Sequence, residues 1–199
     1  MSVTKANADV LDLTDAYAFS GTVTGAGTSG GYEFVSAVTA SDSATVAFTG
    51  FEAGYDYQIE FLNIIAQTDS VNLFGQVGTG GTPTYQTASY RGSDYRVSDT
   101  GAIAGSKITS SWRASSQTQG NGASEDGYGT LTIFDPMTVA DTFIHGSGFH
   151  IDAQGTPIGA NWTSKYSRQV AEAVTAFKLY YSSGNIVSGL FKLYRRPNA

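Results

Sequence analysis

Cysteine is missing from this 199-residue chain. Neither a disulfide framework nor a thiol nucleophile can therefore be built from it. A chain of this length can bury one hydrophobic core without such staples. Charge is also scarce: Asp, Glu, Lys and Arg make up 14 % of the residues, with a net charge of −6, where globular domains usually carry about a quarter. A surface so poor in Lys and Arg excludes nucleic-acid backbones as partners, because phosphates have to be neutralised by cations. No apolar run approaches the roughly eighteen residues of a membrane span, and the first twenty residues hold no signal-peptide core. Proline is rare, at 4.

What is present is glycine, at 24 residues, and aromatics, at 13 %, mostly Tyr and Phe, set among Thr, Ser and Val. Gly-rich turns with aromatic and β-branched runs describe an all-β protein. Residues 1–31 differ from the rest: acidic early, Gly/Thr/Ser-rich later, and only weakly alternating. They read as an extended arm ending in a linker over Gly25–Gly31. Residues 32–199 then read as one domain.

Strand-like runs follow at short intervals. In "ATVAFTGF" (44–51), Val46 and Phe48 share a face. In "YDYQIEFLNI" (55–64), Tyr57, Ile59 and Phe61 point one way and Gln58 and Glu60 the other. The stretch from Gly92 to Gly127 is short of large aliphatics, and its "SSQTQGNGASEDG" portion reads as an exposed loop. Strands resume at 128–136, 141–151 and 161–167. The segment "RQVAEAVTAFKL" (168–179) carries β-branched and aromatic residues in its second half and reads as strand rather than helix. The tetrapeptide Phe-Lys-Leu-Tyr occurs at 177–180 and again at 191–194, around Ser183-Gly184-Asn185. That pattern predicts a closing β-hairpin. A three-residue loop pairs Phe177 with Phe191, and a four-residue loop pairs it with Leu190. Phe177, Leu179, Leu190 and Leu193 are core candidates. Eight to ten strands in all predict an antiparallel β-sandwich of jelly-roll-like winding, with an extended N-terminal arm.

Catalytic and metal-binding patterns are thin. His145 and His150 would point to opposite faces of a strand, which is poor geometry for one metal. There is no G-x-S-x-G elbow and no P-loop. Adjacent Glu125 and Asp126 read as a solvated loop, and no cofactor is implied. The arrangement with binding content is aromatic: Tyr85, Tyr90, Tyr95, Trp112 and Tyr128 lie in or beside polar Gly/Ser/Asn segments. Such rings can stack on sugars, pack on the edge of the sandwich, or pack against a sister subunit.

Several stretches resemble structural proteins of tailed bacteriophages. "LDLTDAYAFSGTVTGAG" (11–27) resembles the segment preceding receptor-binding domains in tail fibres. "FTGFEAGYDYQIEFLNI" (48–64), "GTLTIFDP" (129–136) and "SSGNIVSGLFKLYRR" (182–196) resemble a β-sandwich domain carried on fibres, tail tips or capsid fibres. The resemblance runs from Leu11 to Tyr194; it departs where Arg195-Arg196-Pro197 replaces the glycine that usually follows "KLY". It implies a non-enzymatic virion protein, oligomeric and commonly trimeric. The arm, through Leu11, Leu13, Tyr17 and Phe19, would anchor it to a tail adaptor or to the capsid. The sandwich would be displayed as a short tail fibre or receptor-binding tip contacting host-surface glycan. The alternative position is a head-decoration or head-fibre protein. A glycan depolymerase is the rival class, with acids drawn from Asp94, Asp99, Glu125, Asp126, Asp135 and Asp141.

Overall fold

The structure, a computed structural model, describes residues 31–152 and 158–198. The arm and its anchor candidates Leu11, Leu13, Tyr17 and Phe19 lie outside the described residues. All regular structure within them is strand: β1 (Glu33–Ser43), β2 (Val46–Thr49), β3 (Tyr55–Ala66), β4 (Leu73–Thr79), β5 (Thr84–Tyr85), β6 (Tyr90–Ser98), β7 (Ile103–Ser106), β8 (Trp112–Arg113), β9 (Gly127–Phe134), β10 (Thr142–Asp152), β11 (Ile158–Arg168), β12 (Val174–Tyr181) and β13 (Ile186–Pro197). Eight of them form one sheet in the order β1-β13-β3-β9-β10-β11-β6-β7, and the others form a second in the order β2-β12-β4-β5, with β8 also on β4. Every pairing is antiparallel. The two sheets enclose one core, as in a β-sandwich. The chain crosses between the two sheets repeatedly, while β9, β10 and β11 run as a meander within one of them.

Alternation explains most of these strands. Val46 and Phe48 are buried on β2, and Tyr57, Ile59 and Phe61 on β3, while the residues between them face outward. The 168–179 segment is strand from Val174 onward, as its β-branched content predicts.

The expected terminal hairpin does not form. β12 pairs with β2 and β4 in one sheet, whereas β13 pairs with β1 and β3 in the other. Phe177 sits opposite Phe48 and Val77, and Phe191 opposite Val38 and Phe61. The Ser-Gly-Asn signal is real, with Gly184 at φ 69°. It reverses the chain across the core instead of along a ladder. A turn signal states that the chain turns, not which edges then bond. Phe177, Leu179 and Leu193 are buried as expected. Leu190 is only half-buried, because it has the opposite parity from Phe191 and Leu193 on β13.

The core centre is aromatic and spans both sheets. Trp112 meets Phe177 with centroids 6.4 Å apart and Trp162 at 6.1 Å, both edge-to-face, and Trp162 lies parallel to Phe61 at 6.1 Å. Strand glycines make room for these rings. A Cβ added at Gly129 would stand 2.6 Å from Phe61 Cζ, one at Gly146 2.6 Å from Trp112 Cζ2, and one at Gly148 2.6 Å from Trp162 Cζ2.

The stretch predicted as a long exposed loop is corrected in its first half. Residues 111–120 form a polar strap running through the interior, with Ser115, Gln117 and Gln119 buried. Gln119 explains how polar residues survive there. Its Nε2 donates to the carbonyls of Ile64 at 2.7 Å and Glu125 at 3.1 Å, and its Oε1 accepts from the Tyr181 hydroxyl at 2.8 Å. Its backbone exchanges hydrogen bonds with Val71. A buried amide is tolerated when its donors and acceptors are all used. Only the Asn121–Ser124 turn that follows is largely exposed.

Candidate functional site

The five aromatics singled out in the sequence do not form one site. Trp112 is 0 % exposed and Tyr90 is 2 % exposed, which corrects the expectation that they stack on sugar or meet a sister subunit and agrees with the alternative that they pack within the sandwich, though inside it and not at its edge. Each closes the gap between the sheets instead. The Tyr90 hydroxyl accepts from the Val77 N–H at 2.9 Å and donates to the Gln86 carbonyl at 3.3 Å, and burial pushes its pKa up to about 12. Tyr85 is half-buried on the five-stranded sheet, with Lys178 Nζ 4.5 Å from its ring centroid. Tyr95 and Tyr128 alone lie on one exposed surface, the outer face of β9-β10-β11-β6-β7.

On that face, register sets the arrangement. Phe143 is opposite Phe134 at one end of the strands. At the other end Phe149 is opposite Tyr128 and also Asn161, which in turn faces Val97, itself opposite Ile103. Direct cross-strand neighbours have Cβ atoms about 5 Å apart, so each row is a continuous band. Between the bands run polar positions: Thr130, Ser147 and Thr163 beside Tyr95, and Thr132, His145 and Lys165 beside Ser93. Phe143 is 58 % exposed, Tyr95 56 % and Ile103 75 %. Sequence reading missed Phe134, Phe143, Phe149, Val97 and Ile103. The signal was alternation within β9 and β10, which puts Tyr128, Phe134, Phe143 and Phe149 on the face opposite Leu131, Ile133 and Ile144.

Two of the exposed rings pass over strand glycines. A Cβ at Gly105 would stand 3.1 Å from Tyr95 Cδ1, and one at Gly159 would stand 2.7 Å from Phe149 Cζ. Each ring therefore comes close to a glycine of the adjacent strand, where a larger residue would push it away. The Tyr128 hydroxyl donates to Asp126 Oδ2 at 2.7 Å, and that bond, with smaller contributions from desolvation and the Asp126 charge, raises its pKa.

Beside the Phe134–Phe143 band lies a groove of about 410 Å³, lined by both rings with Arg91, His145, Lys165 and Ser167.

The acids named for a hydrolytic cleft are dispersed. Asp94 is buried on the inner face, where Arg113 donates to it. Glu125 and Asp126 precede β9 while Asp135 follows it, roughly 25 Å away at the usual strand rise. Glu125 accepts from the Gly122 N–H and Asp135 from the Thr138 hydroxyl. His145 is exposed on the outer face and His150 is buried on the inner one, as their spacing predicts. No group of three or more side chains able to hold a metal occurs among the described residues.

Comparison with protein-family models, curated proteins and solved structures finds no match.

Proposed function

We propose that this chain is a non-enzymatic structural and recognition protein of a tailed-phage particle, most simply a short tail fibre or receptor-binding protein. The virion setting comes from the resemblance carried by residues 11–27, 48–64, 129–136 and 182–196. The contact surface comes from the fold. The observation that carries the reading is the outer face of β9-β10-β11-β6-β7, where the exposed Tyr95 and Phe149 rings reach over Gly105 and Gly159 between rows of Ser, Thr and Asn. Exposed rings flanked by hydroxyls and amides suit the stacking and hydrogen bonding of sugars, and the same surface suits a sister subunit. The arm would attach the sandwich to the particle, and subunits would associate as an oligomer.

A head-decoration protein is the second reading. It is favoured by β1, an eleven-residue edge strand. That edge leaves Phe34 and Val35 exposed beside backbone groups a neighbouring chain can pair with. Mass spectrometry of purified particles tests both positions: the chain is expected as a stoichiometric component, and its absence from washed particles would overturn the virion assignment.

A further inference from the structure

The groove beside Phe143 differs from the rest of the molecule in charge. The chain as a whole is acidic, at −6. Yet the charged side chains lining this groove are Arg91 and Lys165, joined by His145, with no carboxylate among them. Among the described residues, five cations are paired with acids: Arg113, Arg168, Lys192, Arg195 and Arg196. Arg91 and Lys165 make no such pair. Lys107, equally unpaired, lines the adjoining depression together with Arg91. Register explains the groove's shape. Small Ser167 on β11 stands between Arg91 on β6 and Phe143 on β10. It leaves a trough with a guanidinium on one wall and an exposed ring on the other. Lys165 lies two residues along β11 from Ser167, diagonal to both.

We propose that this trough binds a carboxylate-bearing sugar, a hexuronic-acid residue of an acidic glycan. The carboxylate sits between Arg91 and Lys165, and the C–H face of the sugar ring lies on Phe143. The planar guanidinium fork matches a carboxylate, and the ammonium adds a second charge. The aromatic wall supplies the apolar contact that a free inorganic anion would not use. A volume of about 410 Å³ is within the roughly 300–1,000 Å³ range of small-ligand sites. The proposal rests on the outer face being a recognition surface, and it names the ligand class for one end of it.

The test is isothermal titration of the full chain with tetragalacturonate and with its methyl ester, which keeps the rings and removes the charge. The acid is expected to bind, and the ester to bind at least roughly tenfold more weakly. The double variant Arg91→Gln/Lys165→Gln should lose a similar factor, and Phe143→Ala should weaken binding several-fold. All these positions are exposed, and unchanged thermal melting shows that the fold is retained. Absence of binding up to about 10 mM acid, equal binding of acid and ester, or binding indifferent to the double variant would overturn the proposal. So would self-association abolished by Phe143→Ala, because a second copy would then occupy the trough. Failure here with the chain still found in particles leaves the virion reading standing. Acid-selective binding by a chain absent from particles removes that reading and keeps the site.

Discussion

Arg113 places Nε at 3.0 Å and Nη2 at 2.7 Å from the same oxygen of Asp94, and the carboxylate is fully buried. Arg113 lies on β8 beside the five-stranded sheet and Asp94 on β6 in the eight-stranded one, so the pair ties the two sheets through the interior. The Tyr166 hydroxyl also donates to Asp94, at 3.2 Å. Removing one partner leaves the other charge buried. Asp94→Ala is expected to cost about 3–5 kcal/mol in urea denaturation, whereas Asp94→Leu/Arg113→Met recovers most of the loss. A loss below about 1 kcal/mol for the single variant would show that water reaches Arg113.

Acid should weaken the fold through His150. Burial first, and then the Arg96 charge, lower its pKa from 6.5 to about 4. The unfolded chain binds this proton below about 6.5, the folded chain only below about 4. The contribution is therefore complete above pH 6.5 and is lost as pH falls through that window, by up to about 3 kcal/mol. Denaturation at pH 7 and pH 5 should show about 2 kcal/mol of this loss for the native chain, and His150→Gln should flatten it. An equal slope in both proteins would mean that the carboxylates carry the acid sensitivity.

Trp112 and Tyr95 were similar in the sequence and differ in the fold. Trp112→Ala empties the centre of the core and is expected to cost about 3–5 kcal/mol. Tyr95→Ala removes an exposed ring and should change stability by no more than about 0.5 kcal/mol. Melting curves of the two variants separate packing from surface.

Gly148 is held on two sides. A Cβ there would collide with the Tyr128 carbonyl oxygen and stand 2.6 Å from Trp162 Cζ2. Since one obstacle is backbone, Gly148→Ala is expected to destabilise by about 1–3 kcal/mol. Gly81, whose Cβ would meet nothing within 4 Å, is the matched control, and a similar loss at both sites would contradict the tight-floor account.

The strands around Tyr57, Ile59 and Phe61 were legible because each alternates cleanly between a buried and a wet face. The link after β12 was misread because Ser-Gly-Asn specifies a reversal locally, while partner choice depends on distant strands β2, β3 and β4. The interior strap around Gln119 was invisible for a related reason: its side chain is satisfied by Ile64, Glu125 and Tyr181, which no local window contains. Gly129, Gly146 and Gly148 fall inside the strands read at 128–136 and 141–151, but nothing local shows that they are the floor under Phe61, Trp112 and Trp162. Of the predicted aromatic set, Tyr95 and Tyr128 reached the outer face. Composition could not separate them from Trp112, since all three sit in polar, glycine-rich sequence.

Cryo-electron microscopy of intact particles carrying this chain tests the central claim most directly. The account predicts sandwich density on the particle, with the face bearing Phe143, Tyr95 and Tyr128 turned outward or set against a sister subunit. Mature particles without that density would contradict it.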